Sequence, residues 1–210
     1  MKHGLLAWIL AAGRVPCATF VVDMNRRQTL GLMGTLLATL SVSRVSRATT
    51  ARAVSLPDLV ARSTRIARAM PLEGSARFED IGDTRHIVTY TRLRIDELIA
   101  GSPNEPEVLV RTLGGHLDKL GEIVHGEAEL ALNEACIVFL QANADGIDQV
   151  TEMAQGHYPL RNDTSGALRL TASRNMPHLL NGASAPNAAA LRLPGLQPNE
   201  ARDLIRGVQR

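Results

Sequence analysis

From Arg85 to Gly101 the chain reads RHIVTYTRLRIDELIAG. Ile87, Thr89, Thr91, Leu93 and Ile95 fall at every second position, and the residues between them, Val88, Tyr90, Arg92, Arg94 and Asp96, are mostly polar. A period of two places successive side chains on opposite faces, so this stretch predicts a long strand with one buried face. Before it, Ile66, Ala67, Ala69 and Met70 predict a strand that Pro71 turns into a bulge or an edge, and IGDTR reads as a turn. After it come VLVRTLGG, ended by Gly114 and Gly115, and the nearly continuous apolar run ACIVFLQ, which predicts a central strand buried on both faces. VTEMAQGHYPLR reads as a further strand, and NDTSG as a hairpin turn into ALRLTAS.

Helical spacing appears only near the ends of this region. Ser55, Leu56 and Pro57 predict the cap and first turn of a short helix, and Ala201, Leu204, Ile205 and Val208 predict a short amphipathic one. Five or six short strands with a small helix at either end predict a mainly β fold, a small antiparallel OB-like β-barrel, with a β-sandwich as the alternative. The barrel domain is expected over 54–174, a flexible Pro-, Gly- and Ala-rich loop over 175–197, and the closing helix over 198–210.

The first 53 residues carry a different pattern. Met24 is followed by Arg26 and Arg27, then by the uncharged run LGLMGTLLATLSV, then by small residues at Ala51 and Ala53. That run is short of the roughly 20 apolar residues needed to span a bilayer. The order of positive, apolar and small-residue regions predicts an export signal over 24–53, cut after Ala53 or, alternatively, after Ala48 in Ser46-Arg47-Ala48. NRRQTL resembles the twin-arginine signal, with Thr29 where that signal carries phenylalanine. Residues 1–23 read as an upstream extension before the true start at Met24. The expected location is the periplasm or the exterior of a bacterium.

Removing the leader changes the charge. Residues 1–53 hold seven of the 23 basic residues but one of the 21 acidic ones, so the remainder has 16 basic against 20 acidic, a net of −4. A nucleic-acid partner calls for a basic face, and the arginines here are scattered among acids. The same chain shows no polybasic or amphipathic membrane surface, so no stable membrane association is expected after cleavage. Aromatics are limited to Phe78, Tyr90, Phe139 and Tyr158, few for a platform that stacks bases. Cys136 alone remains and reads as a small core hydrophobe.

The order of segments also resembles a family layout. A long strand ends in a corner from Glu97 to Gly101, EVLVRTLGG leads into a long connection, and Leu130 to Leu140 opens the central strand. Over about residues 56–160 this looks like a set of exported bacterial proteins and, more distantly, like the OB barrels of netrin modules and metalloproteinase inhibitors. The inhibitor family's bridging cysteines, and the amino-terminal cysteine that chelates the protease metal, have no counterpart here. The resemblance implies a fold rather than inhibition.

Candidate chemistry is sparse. The sequence contains no G-x-S-x-G, H-E-x-x-H, C-x-x-C or phosphate-loop motif. HLDKLGEIVHG places His116, Asp118, Glu122 and His125 in one connection, a set of imidazoles and carboxylates that could hold a divalent metal, with His157 as a further ligand. Asp80 and Asp83 flank Gly82 as an ordinary turn rather than a calcium loop. Glu122, Glu127 and Glu129 are the carboxylates from which an acid/base pair would be drawn, and spacing singles out none of them. Two functions follow from these readings. One is an exported non-enzymatic module that binds an envelope protein partner without a cofactor. The other is a small metal-binding protein or metal-dependent enzyme using the His116–His125 loop.

Overall fold

The computed structural model describes residues 50–102, 105–143, 145–180 and 187–209. The export-signal residues Arg26 and Arg27, and the extension over 1–23, lie outside them.

The chain enters through β1 (Thr50–Arg52) and a one-turn cap. Ser55 Oγ accepts the Asp58 amide at 3.2 Å and Pro57 sits in the first turn, so α1 (Leu56–Arg62) starts where the sequence signals it. Then come two long antiparallel strands, β2 (Arg65–Ile81) and β3 (Thr84–Gly101), joined through Gly82 at φ +60° and Asp83. Register shifts after Ile66, Arg68 and Pro71 bend β2 three times. Each shift adds a residue on one strand and increases the local twist, which lets a hairpin of this length curl into a wall.

β4 (Glu107–Leu113) pairs antiparallel with β3. An irregular connection follows, interrupted by the small hairpin β5 (Gly115–Leu117) and β6 (Leu120–Glu122). β7 (Cys136–Ala142) returns along β2, and β8 (Asp148–Val150) pairs antiparallel with β7 and parallel with β4. The ring β2–β3–β4–β8–β7 closes on itself. This is an OB-like five-stranded barrel, and among the described residues the other sheets have two strands each, too few to form the second layer of a sandwich. Buried Arg65 and Asp148 meet at 2.6 Å across the seam.

VTEMAQGHYPLR is not one strand. It breaks after β8 into a reversal in which Glu152 and Met153 take φ 55° and 56°, passes through a 3-10 turn over Met153–Gly156, and resumes as β9 (His157–Asn162). The chain must move from one part of β7's edge to another, and Gly156 permits it. A Cβ there would lie 2.1 Å from the Thr151 carbonyl oxygen. β9 pairs with the first half of β7 and carries β10 (Leu168–Leu170) on its outer edge.

Within 175–197, β11 (His178–Leu180) pairs in parallel with β1, and α2 (Ala189–Arg192) follows. α3 (Pro198–Val208) opens on a capping box, with the Gln197 amide bonded to the Glu200 carboxylate at 2.8 Å.

Two apolar layers share β7. Cys136, Val138 and Leu140 face the barrel interior with Ala69, Leu93, Val108 and Val110. Ile137 and Phe139 face outward, beneath α1 and α3, with Ile66, Tyr158 and Ile205. The Phe139 and Tyr158 rings meet edge to face at 6.1 Å. Burial pushes the Cys136 thiol up to about 12, so it stays a protonated core residue.

Candidate functional site

The β2–β3 hairpin runs on past the closed ring. β2 pairs with β7 over Arg65–Ala69, and among the described residues its length from Glu73 to Ile81 is paired on the β3 side alone. On the inner face of this extension Gly74 and Ala76 lie opposite Thr91 and Thr89, and Thr89 lies opposite Thr112 of β4. Small side chains and hydroxyls leave this floor low. The connection after β4 passes over it and forms a trough of about 450 Å³, whose apolar wall includes Ile123, Leu130 and Leu132. Ile123 is 72% exposed and Leu132 50%, so the rim carries aliphatic groups in water.

Two glycines make the overpass. Gly114 has φ +86° and Gly115 φ +132°. A Cβ on Gly115 would lie 2.2 Å from Thr89 Oγ1, and one on Gly114 would lie 2.8 Å from the Glu122 carbonyl oxygen. The Gly114 carbonyl accepts the Thr89 hydroxyl at 2.7 Å. Glu122 then ties the overpass down. Its carboxylate accepts the Ile87 amide at 2.6 Å and sits 2.6 Å from His86 Nδ1. The His86 contact, and after it the Ile87 amide, holds the Glu122 carboxyl below its ordinary range.

Glu127 behaves in the opposite way. It is buried, it borders both the trough and a neighbouring cavity of about 330 Å³ beside Arg111, Gln141 and Gln149, and its carboxyl accepts the Ala128 amide at 3.0 Å. Burial raises its pKa despite the backbone amides of Ala128 and Leu113. Glu129 lies at the surface, 3.5 Å from Arg174. Three glutamates within eight residues thus have three fates: a strut, a buried carboxyl and a surface ion pair.

The proposed metal residues are not gathered. His116 is exposed on β5, Asp118 is exposed in the following turn, and His125 lines a different cavity with Arg62 and Glu152. Among the described residues, no three of His, Cys, Asp and Glu form a group able to hold a metal ion. His157 is buried, with Nδ1 3.1 Å from Ser173 Oγ, and burial drives its pKa down to about 4, so it is a neutral core group.

The outer face of the same wall is a ladder of paired charges. Arg92 bridges Glu73 at 3.0 Å and Glu107 at 2.8 Å, and Arg94 meets Asp96 at 2.8 Å. Glu79 receives Arg111 at 2.9 Å, Arg77 at 2.8 Å and the Tyr90 hydroxyl at 2.6 Å. The Tyr90 hydroxyl, then Arg77 and Arg111, pull the Glu79 carboxyl down to about 2. The Arg77 guanidinium also covers the Tyr90 ring at 4.2 Å, which is why Tyr90 is buried on the polar side of an alternating strand.

Sequence reading missed the trough. Its floor of Gly, Ala and Thr carries no hydropathy signal. The usable signs were the Gly114-Gly115 pair after a strand and the aliphatic Ile123, Leu130 and Leu132 in an otherwise polar connection. No family model matches the chain, and no curated protein matches it.

Proposed function

We propose that this chain is an exported interaction module of a bacterial envelope, whose OB-like barrel holds an extended, aliphatic segment of a partner protein in the trough. The observation that carries the reading is the trough itself, a low hydroxyl-lined floor under an exposed aliphatic rim. Its border is a strand edge from Glu73 to Ile81 that, among the described residues, pairs with no strand other than β3 on its far side. An extended segment could add to that edge through main-chain bonds while its side chains enter the trough. The outer wall points away from polyanions, because each of its arginines already meets a carboxylate. The twin-arginine-like NRRQTL stretch supports the address.

The test is site-specific photo-crosslinking in the native envelope. A photoreactive residue at Ile123 should capture one discrete protein, and capture should disappear when Ala76→Leu fills the floor. The same residue at Leu109, exposed on the outer wall, should capture nothing specific. Equal capture from both positions, or capture unaffected by Ala76→Leu, rules out the trough.

A further inference from the structure

Two positions in the leader satisfy the small-residue rule for cleavage, after Ala48 and after Ala53, and the fold separates them. Thr50–Arg52 forms β1 and runs in register with His178–Leu180. Gln155, itself buried, clamps the next residues from one side. Its Oε1 accepts the Val54 amide at 2.9 Å, and its Nε2 donates to the Arg52 carbonyl at 3.1 Å. From the other side, the Val54 carbonyl accepts the Ala189 amide at 3.0 Å. Ala53, between these bonds, is 5% exposed.

We infer that the leader is removed by hydrolysis of the Ala48–Thr49 bond, so that the mature chain keeps β1. The inference rests on the export reading proposed above. Ser46 and Ala48 supply small side chains at the third and first positions before the cut. A protease takes its substrate extended in its own cleft, with main-chain groups free on both sides of the bond. Around the Ala53–Val54 bond the Arg52 carbonyl and the Val54 amide are taken by Gln155, and the Val54 carbonyl by Ala189. Twin-arginine export carries folded cargo, so the peptidase meets this segment already docked. Water adds across the bond, Ala48 leaves as a carboxylate and Thr49 becomes the new ammonium, with no other reactant. Cutting after Ala53 instead would remove the Arg52 carbonyl and strand the buried Gln155 amide donor.

The test expresses the full chain in a bacterium with twin-arginine export and reads the amino terminus of the envelope fraction. Thr49 first is expected. Val54 first overturns the inference and leaves the export reading standing, whereas a full-length chain retained in the cytoplasm overturns both. Ala48→Leu should accumulate precursor. Ala51→Leu, which spoils the third position before the downstream cut alone, should mature normally. The reverse pattern overturns the inference. Purified chains beginning at Thr49 and at Val54 then test the structural ground: the longer should melt higher, and identical melting overturns the role given to β1.

Discussion

The barrel wall built on β7 is buried on both faces, whereas the wall built on β3 and β4 is buried on its inner face and, apart from Val88 and Tyr90, meets water on its outer one. On the first, Ile137 and Phe139 pack outward under helices while Cys136, Val138 and Leu140 pack inward. On the second, Thr91, Leu93, Val108 and Val110 face inward, while Arg92, Arg94 and Arg111 lie in ion pairs outside. Stability is therefore concentrated on the β7 side. The β3–β4 side can extend past the ring and leave a trough open, because little of the fold depends on filling it.

The largest effect should come from the doubly buried wall. Phe139→Ala removes a fully buried ring in contact with Tyr158 and leaves a cavity between two layers. Phe-to-Ala changes at such sites cost roughly 3–5 kcal/mol. Leu109→Ala on the water-facing wall should cost about 0.5 kcal/mol or less. Denaturant unfolding of both variants checks the contrast, and comparable losses would remove the asymmetry.

Acid titration separates the walls next. His157 pairs opposite Val138 in the doubly buried wall, with Ser173, Glu134 and Arg161 as its polar neighbours. Its folded pKa, about 4, lies below the ordinary 6.5, so the unfolded chain takes up the proton first. Stability should be full above pH 6.5 and fall as the pH drops toward 4, by on the order of 3 kcal/mol at 1.36 kcal/mol per unit. On the other wall Glu79 is held down near 2, so its contribution is lost only between about 4.5 and 2. Unfolding midpoints of the parent and His157→Gln across pH 4–7 check this. The variant should be nearly flat over that range apart from the carboxyls whose pKa is raised, and an unchanged acid slope would show that His157 is not the cause.

How much of this asymmetry was legible follows from how each wall is built. ACIVFLQ reads as central because a strand buried on both faces has no polar positions, and RHIVTYTRLRIDELIAG reads as half-exposed because water on one face enforces alternation. Gly82 and Pro71 marked the turn and the bulge for local steric reasons. The rest depended on distance along the chain. The pairing of β1 with β11 joins three-residue stretches more than 120 positions apart, and three residues carry no period. VTEMAQGHYPLR looked continuous because its break lies in the left-handed Glu152 and Met153, residue types that give no turn signal. Glu122, Glu127 and Glu129 were equivalent in sequence. The path of the connection over β2 and β3 is what buries Glu127 and leaves Glu129 at the surface.

That buried one gives a smaller and opposite effect. A carboxyl whose folded pKa is raised contributes stability below its unfolded value near 4.5 and loses it as the pH rises through the folded value. Glu127→Gln should therefore melt higher than the parent at pH 7, with the difference shrinking toward pH 4. A lower melting temperature at pH 7 would mean that the Ala128 and Leu113 amides need a charged acceptor there.

The smallest effect belongs to the ladder on the water-facing wall. Arg92 meets both Glu73 and Glu107, yet its side chain is 41% exposed and those of its partners are 69% and 40% exposed. Each charge keeps much of its hydration, and holding three long side chains in one geometry costs rotamer entropy. Exposed pairs of this kind contribute about 0–1 kcal/mol. Arg92→Ala should thus shift the unfolding midpoint slightly, and the shift should fade as salt is raised, because salt screens exposed charges and the Debye length shrinks from about 10 Å at 0.1 M to about 3 Å at 1 M. What the variant should change is selectivity. It leaves Glu73 and Glu107 unpaired on the outer face, so binding of a cationic peptide there should rise while trough capture at Ile123 stays as it was. A salt-insensitive loss larger than that from Phe139→Ala would place the stability of this barrel on its wet wall and reverse the comparison.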